Sequence, residues 1–286
     1  MTELLTTDVL GLEAWQVLLV LLAGFWAGTI NSVIGSGTLV TFPVLVGVGF
    51  PPVTAQISNA MGLVAAGFSG VFGYRRELSQ ARAVVPALTS ASLLGGLAGA
   101  GLLIVLPPEV FGVVAPVLIV VALAFVVLQP RLQAWVRSRS ARADAGGAAA
   151  RETVGADVPR GPVTGTLWAL VFLAGVYGGY FVAAQGVLLM GILGVFLLGG
   201  TLVHANAVKT WLSLSVNLVA AASYLLFASD RIDWTAVALI AASSLVGGSV
   251  GARIGRRISP TVLRVVIVVV GLAGLVSMVL RQVNGS

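Results

Sequence analysis

The sequence predicts an all-α, polytopic membrane protein made of two inverted-topology repeats of about five helical segments each. Composition is the first observation behind this prediction: hydrophobic residues fill 58% of the 286 positions, charged residues only 9%, and the mean hydropathy is +1.05. A soluble domain carries about 25% charged residues. Apolar runs near the ~20 residues that cross a bilayer recur along the chain. A central linker and a repeated glycine pattern are the other two observations.

The first half is expected to contain five helical segments, because lone strands and loops cannot satisfy their backbone in lipid. The N-terminal residues 1–13 lack the basic region and cleavage site of a secretory signal, so the first apolar stretch is expected to remain as a span. The segments of this half are Leu12–Ile34, Thr38–Phe50, Val53–Tyr74, Arg82–Leu106 and Glu109–Gln129.

A linker from Arg131 to Pro162 follows, rich in Arg, Ala and Gly and without a hydrophobic period. It divides the chain into a first repeat (1–130), a cytoplasmic linker (131–162) and a second repeat (163–286). The segments of the second repeat are Val163–Ala184, Val187–Gly200, Leu202–Ala228, Trp234–Ala252 and Pro260–Leu280. The second segment of each half is short for a full crossing, so we expect it to be tilted, broken or re-entrant.

Glycines and prolines recur in the two halves at an offset that drifts by about one residue, which is the pattern of an internal repeat. The aligned pairs are Gly24–Gly28 with Gly175–Gly179, Gly35 with Gly186, Gly95–Gly99 with Gly247–Gly251, and Pro108 with Pro260.

Arginine placement predicts the orientation, because cytoplasmic loops carry an excess of Lys and Arg. The basic regions are Arg75, Arg76 and Arg82, the linker, and Arg253, Arg256 and Arg257. This rule puts repeat-equivalent loops on opposite sides, which predicts an inverted repeat. We expect a multi-pass protein of the cell inner membrane with both termini outside and the linker cytoplasmic.

Polar residues inside the predicted spans are the candidate substrate-binding residues, because such groups are costly in hydrocarbon. They are Asn31, Gly35, Ser36, Gly37, Gln56, Ser58, Asn59, Gln185, Asn206, Lys209 and Asn217. Asn59 and Lys209 hold nearly equivalent repeat positions, and broken helix ends with exposed amides would attract anions. Lys209 is the only lysine, and every Asp and Glu lies in a tail, a loop or a segment end, so a small anionic substrate is favoured.

Two structural interpretations of these residues compete with the functional one. Lys209 could extend to the inner interface, and the asparagines could simply hold the bundle together by hydrogen bonds of about 0.6 kcal/mol each. His204 is interpreted as an interfacial histidine, with a role in proton movement as the alternative.

Several function classes are disfavoured by what the sequence lacks. It has no cysteine and one histidine, so we expect no metal, no cofactor and no catalytic residues, and an enzyme is not favoured. The net charge of +6 is interpreted as a topology signal, so we expect no nucleic-acid partner. The expected partners are a small anion, the lipid bilayer and possible copies in a homo-oligomer. The alternative function is a scaffold or sensor that acts through the linker.

Several stretches, in their order along the chain, resemble the sulfite exporter TauE/SafE family, also called the toluene sulfonate uptake permease family. These stretches are Gly28–Asn31, Gly35–Gly37, Phe42–Pro43, Gly49–Pro52, Ser58–Ala60, Gly73–Leu78, Tyr177–Phe181, Asn206–Lys209, Asn217–Ala221, Leu245–Gly248 and Gly251–Arg253. The chain departs from the family pattern at Val182–Gly186, where a glycine-richer turn is usual, and at Ser58, where threonine is common. The resemblance implies a secondary carrier or facilitator of sulfur-containing anions such as sulfite, thiosulfate or sulfoacetate.

Overall fold

The computed structural model describes residues 8–9, 11–146, 163–196, 202–254 and 259–283, and these are almost entirely helical. The helices within these ranges are α1 (Ala14–Val33), α2 (Thr38–Val48), α3 (Pro52–Gly73), α4 (Arg75–Gln80), α5 (Val85–Val105), α6 (Pro108–Gly146), α7 (Gly165–Phe181), α8 (Gln185–Phe196), α9 (Leu202–Phe227), α10 (Trp234–Ile254) and α11 (Pro260–Val283). A ribbon of two-residue strands, β1 (Asp8–Val9) and β2 (Leu12–Glu13), precedes α1.

Helix ends follow local chemistry and lie within a few residues of most predicted boundaries. Gly49 ends α2 with φ of 120°, a conformation in which glycine avoids the steric penalty of a side chain. Proline occupies the first position of α3, where its missing N–H would have no helical partner. The Thr164 hydroxyl accepts a hydrogen bond of 3.2 Å from Leu167 N at the start of α7. The all-α, multi-pass prediction is confirmed, since seven helices within the described ranges are long and apolar enough to cross a membrane.

The start of the predicted linker is part of a helix. Helix α6 continues past Gln129 and through Arg131 to Gly146. Alanine and arginine have high helix propensity even where no hydrophobic period exists, which explains why the pattern alone did not reveal this extension. Residues 147–162 lie outside the described part of the chain, as do residues 197–200 at the end of the predicted segment Val187–Gly200.

Six helices form the centre of the fold in two sets of three that run in opposite directions. Gly24 faces Ile240 and Gly28 faces Gly248, so α1 runs alongside α10 in the same direction. Gly62 faces Ile240 and Gly248 faces Ala66, so α3 shares that direction.

The second set is α5, α7 and α9. Gly95 faces Phe172 and Gly99 faces Tyr180, so α5 and α7 run in the same direction. Helix α9 joins them, because Trp211 bonds Thr89 and Val216 faces Gly96.

The two sets meet at α3 and α9, which run in opposite directions. Gly67 faces Leu214 and Gly70 faces Thr210. Because the first set runs against the second, the ends of α3 and α10 lie on the same side as the starts of α5, α7 and α9. We call this the basic side, and its described arginines include Arg75, Arg76, Arg82 and Arg253. The opposite, acidic side carries Glu13, Glu109, Asp230 and Asp233.

The short helices α2 and α8 each double back on the helix before them. Gln16 Nε2 donates a hydrogen bond of 3.2 Å to Val48 O, so α2 ends near the start of α1 on the acidic side. The Gln185 side chain lies against Gly178, and Leu193 shares a buried cluster with Leu167, so α8 returns along α7 toward the basic side. The helical hairpins α1–α2 and α7–α8 therefore enter from opposite sides.

The outer faces of the bundle are apolar and exposed. Phe72, Leu226 and Phe227 are 69% or more exposed, and valines at helical spacing along α11 face outward, including Val262, Val265 and Val269. Such surface is stable only where lipid covers it, so the membrane is the solvent of this fold.

Candidate functional site

The turns of the two hairpins meet each other. Gly35, in the turn after α1, has φ of 94°, which glycine adopts without penalty. A Cβ on Gly35 would lie 2.9 Å from the Cα of Gly186, so the two backbones touch with no room for a side chain. In the other turn, Val182 and Ala184 have φ of 62° and 59°, where a side chain costs energy. This is the stretch where the sequence departs from the glycine-rich family pattern.

A cavity of about 50 Å³ lies next to this contact, and its lining residues from α3, residues 63–70, lie in the half of that helix nearer the basic side. Since one water needs at least ~10–15 Å³ of such space, the cavity has room for several waters or one small ion. It is lined by Asn31, Ser32, Gly35, Leu63, Ala66, Gly67, Gly70, Val182, Gln185, Gly186, Lys209, Thr210, Ser213, Leu214 and Asn217.

Lys209 supplies the positive charge of the cavity. Its side chain is only 2% exposed, and a Cβ on Gly35 would lie 3.2 Å from its Nζ. The ammonium therefore points to the meeting point of the two turns and does not extend to the surface. Among the described residues no group accepts a hydrogen bond from Nζ.

Polar groups without partners surround this ammonium. The amide atoms Gln185 Nε2 and Oε1, Asn217 Oδ1 and the Ser213 hydroxyl are buried and have no hydrogen-bond partner within the described ranges. The Asn31 Oδ1 accepts a hydrogen bond of 2.7 Å from Gly37 N, which leaves its amide nitrogen to donate elsewhere. Buried polar groups are normally paired, so this arrangement is that of a site prepared for a polar ligand.

The lining residues include no Asp or Glu to neutralise Lys209. The described carboxylates lie in loops or near helix ends, as Glu77, Asp230 and Asp233 do. A cationic ligand would be repelled by this cavity, whereas an anion would supply the missing counter-charge and accept hydrogen bonds from Lys209 and the amides.

Five of the residues predicted from the sequence line the cavity, and the others lie elsewhere. The five are Asn31, Gly35, Gln185, Lys209 and Asn217. Asn59 is fully buried and bonds Thr38 and Thr41, so in this state it holds α3 against α2.

The remaining predicted residues have varied surroundings. Ser58 Oγ accepts a hydrogen bond of 2.9 Å from Asp233 N, which links α3 to the start of α10. Ser36 and Gln56 are buried, and their side-chain polar atoms have no partner among the described residues. The carbonyl of Asn206 accepts the Thr210 hydroxyl at 2.7 Å.

Sequence reasoning missed three hydroxyl residues in the lining: Ser32, Thr210 and Ser213. Hydroxyls in helices often bond their own backbone. Thr210 does so, and Ser32 bonds the carbonyls of Gly28 and Gly248. Only Ser213 is left without a partner there, and nothing in its sequence distinguishes it from its neighbours.

An aromatic cluster of Phe42, Phe111, Tyr180 and Phe181 adjoins the cavity lining, because Phe181 directly precedes the lining residue Val182. Ring centroids lie 5.4 Å apart for Phe42 and Phe181 and 6.1 Å apart for Phe42 and Phe111. The Phe42, Phe111 and Phe181 side chains are at most 1% exposed. Since α2 ends and α6 begins on the acidic side, these packed rings lie toward that side of the fold.

His204 lies outside the lining, at the start of α9. Its Nε2 is 2.6 Å from Gln80 Oε1, which connects α9 to the short helix α4. Across the described ranges no group of three or more His, Cys, Asp or Glu could hold a metal ion.

Seven apolar helices of spanning length among the described residues, three of which line a buried cavity that contains Lys209, define a polytopic membrane transporter. The family described as Sulfite exporter TauE/SafE matches residues 20–278, and the chain belongs to that family. It is 28% identical over 254 residues to the "Probable membrane transporter protein ORF9" of Sinorhizobium sp, which covers 88% of this chain and 87% of that protein. No solved structure matches the chain with significance.

Proposed function

We propose that this transporter carries a small sulfur-containing anion, an oxyanion such as sulfite or thiosulfate or an organosulfonate such as sulfoacetate. The observation that carries the proposal is Lys209, a buried ammonium without a partner among the described residues. Burying an unpaired ion costs several kcal/mol, and a bound anion would offset that cost. The resemblance to sulfite exporters supports sulfur in the substrate.

We further propose that the two halves form an inverted repeat that exposes the cavity to the two sides in turn. The helix directions support this, because the sequence-equivalent helices α3 and α9 run in opposite directions where they touch. The contact of Gly35 with its own equivalent Gly186 also supports it, since a two-fold axis brings such pairs together.

The positive-inside rule supports a cytoplasmic location for the basic side. In this orientation both termini are outside, the linker is cytoplasmic, and the part of α3 that lines the cavity is its cytoplasmic half.

Transport in proteoliposomes tests the function and the role of Lys209. Wild-type protein should move labelled sulfoacetate and sulfite down their gradients. We expect Lys209→Gln to lower the initial rate at least ten-fold, because hydrogen bonds to charged groups contribute ~1.5–3 kcal/mol. Lys209→Arg keeps the charge and should retain part of the rate.

Ser223→Ala is the matched control, because Ser223 bonds the carbonyl of Val219 on its own helix at 2.8 Å. Its flux should equal that of the wild type. A Lys209→Gln protein that inserts normally and transports at the wild-type rate would contradict the assignment of the site.

A further inference from the structure

The two halves do not contribute equally to the cavity. From α9 come Lys209, Thr210, Ser213, Leu214 and Asn217, whereas α3 contributes only Leu63, Ala66, Gly67 and Gly70. The residue at the repeat position of Lys209 is Asn59, which lies away from the cavity in α3. The lining is therefore asymmetric although the helices are equivalent.

Contacts fix which residues of α3 and α9 are equivalent. A Cβ on Gly248 would lie 3.5 Å from the Cα of Ala66, and a Cβ on Gly96 would lie 3.2 Å from the Cα of Val216. Gly248 and Gly96 are already paired by the glycine repeat, so Ala66 pairs with Val216. The same offset pairs Asn59 with Lys209, Leu63 with Ser213 and Gly70 with Ala220.

In inverted-repeat transporters the second state follows from exchanging the conformations of the halves. After this exchange, Val216 and Ala220 would line the cavity at the positions that Ala66 and Gly70 hold now. Both Val216 and Ala220 are fully buried in this structure. It also moves Asn59 into the position that Lys209 holds in this structure.

A second observation points to the same face of α3. Gln56 lies one helical turn from Asn59, toward the acidic side, and residues three apart share a helix face. Its side chain is fully buried, and neither its Nε2 nor its Oε1 has a partner among the described residues. A polar route along this face would give Gln56 the partners that it lacks here.

We propose that in a second state the cavity opens to the acidic side, and that Asn59 then lies beside the anion in place of Lys209. This inference rests on the proposed function. The anion is held by a cation only while the cavity is open to the basic side. On the acidic side a neutral amide holds it, and the affinity there is about ten-fold lower, because the Coulomb attraction of the ammonium is absent.

Opening to the acidic side breaks the bonds that Asn59 makes now. Its side chain donates to Thr38 Oγ1 at 3.2 Å and accepts from the Thr41 hydroxyl, both on α2. Release of α2 frees the amide for the ligand and moves Phe42, which lies on the same helix, out of the aromatic cluster.

Single cysteines test the second opening, because the chain contains none. Ala66→Cys and Val216→Cys are a matched pair at equivalent positions. With a membrane-impermeant maleimide on vesicles of known orientation, Ala66→Cys should react from the basic side only. Val216→Cys should react from the acidic side only. Leu212→Cys, at a fully buried core position, should react from neither side.

Protection by sulfoacetate, which does not react with maleimide, measures the two affinities. Half-protection of Ala66→Cys from the basic side should need about ten-fold less sulfoacetate than half-protection of Val216→Cys from the acidic side. Adding Lys209→Gln should raise the concentration that half-protects Ala66→Cys to the level needed for Val216→Cys. The concentration that half-protects Val216→Cys should not change. Adding Asn59→Leu should raise only the concentration that half-protects Val216→Cys.

Ala220→Cys replaces Val216→Cys if the latter fails to insert. No labelling of Val216→Cys or Ala220→Cys from the acidic side, while Ala66→Cys reacts from the basic side, would overturn the inference. Equal protecting concentrations on both sides would overturn it as well. Sided labelling without any flux of sulfoacetate would support the second opening and count against the proposed function, because labelling does not depend on transport.

Discussion

The position of a single side chain carries most of the functional argument. Lys209 is the only lysine of the chain, and its ammonium reaches the point where two backbone turns touch. Solvent would normally attract such a group to the interface, yet here it is 2% exposed. A buried cation that no carboxylate neutralises is stable only with a ligand or at a considerable cost.

Ser213 offers the sharpest test of an uncharged contact with the anion. Ser213→Ala should raise the half-saturating substrate concentration about ten-fold or more, since a hydrogen bond from a neutral hydroxyl to a charged group contributes ~1.5–3 kcal/mol. Ser215→Ala is the control, because Ser215 bonds the carbonyl of Trp211 at 2.9 Å. Initial rates across a substrate series measure both. Equal effects of the two substitutions would remove Ser213 from the site.

At the level of helices, the turn between α7 and α8 holds the strain of the fold. Val182 and Ala184 have positive φ, and a non-glycine residue there costs about 1–2 kcal/mol. The equivalent turn between α1 and α2 places Gly35 at positive φ and avoids this cost. The protein therefore tolerates in one hairpin a conformation that it relieves with glycine in the other.

Ala184→Gly should relieve part of this strain. We expect its melting temperature in detergent to equal or exceed that of the wild type, because the relief offsets the ~0.5–1 kcal/mol that glycine costs in chain entropy. Ala183→Gly is the control: Ala183 is fully buried, has no positive φ, and should lose stability when its methyl group is removed. An Ala184→Gly protein that melts as low as Ala183→Gly would contradict the strain.

At the scale of the whole molecule, most arginines of the described loops lie on one side and most carboxylates on the other, with Arg231 and Glu77 as exceptions. A cysteine at Ser79, beside Arg76, and one at Ser229, beside Asp230, report on these two sides, and both positions are exposed. An impermeant maleimide added to intact cells should label Ser229→Cys and spare Ser79→Cys until the cells are broken. Labelling of both, or of Ser79→Cys alone, would contradict the orientation.

Much of the fold was predictable because hydropathy and glycine spacing record contacts with lipid and between helices. The bounds of α3 and α5 and the break between α1 and α2 follow from such patterns. Two features left no such trace. Helix α6 extends through Arg131 by helix propensity alone, and α4 occupies a loop that is too polar for a span.

The candidate site was only partly predictable, because sequence shows which residues are polar but not which lack partners. Lys209, Asn31 and Asn217 were identified by their cost in hydrocarbon. Asn59 and Ser58 are also polar residues inside a predicted span, but their side chains have hydrogen-bond partners in the fold. Hydrogen-bond partners often come from residues that are distant in the chain, and only the three-dimensional structure shows which residues these are.

The contact between Gly35 and Gly186 has a mechanical consequence. The two glycines meet through α-carbons that carry no side chains. No interlocking side chains must therefore separate when one half tilts against the other. Resistance to tilting then comes from the aromatic cluster, where the rings of Phe42, Phe111 and Phe181 pack against one another. Smaller residues in place of these phenylalanines should speed the tilting, whereas a side chain at Gly35 or Gly186 would block it.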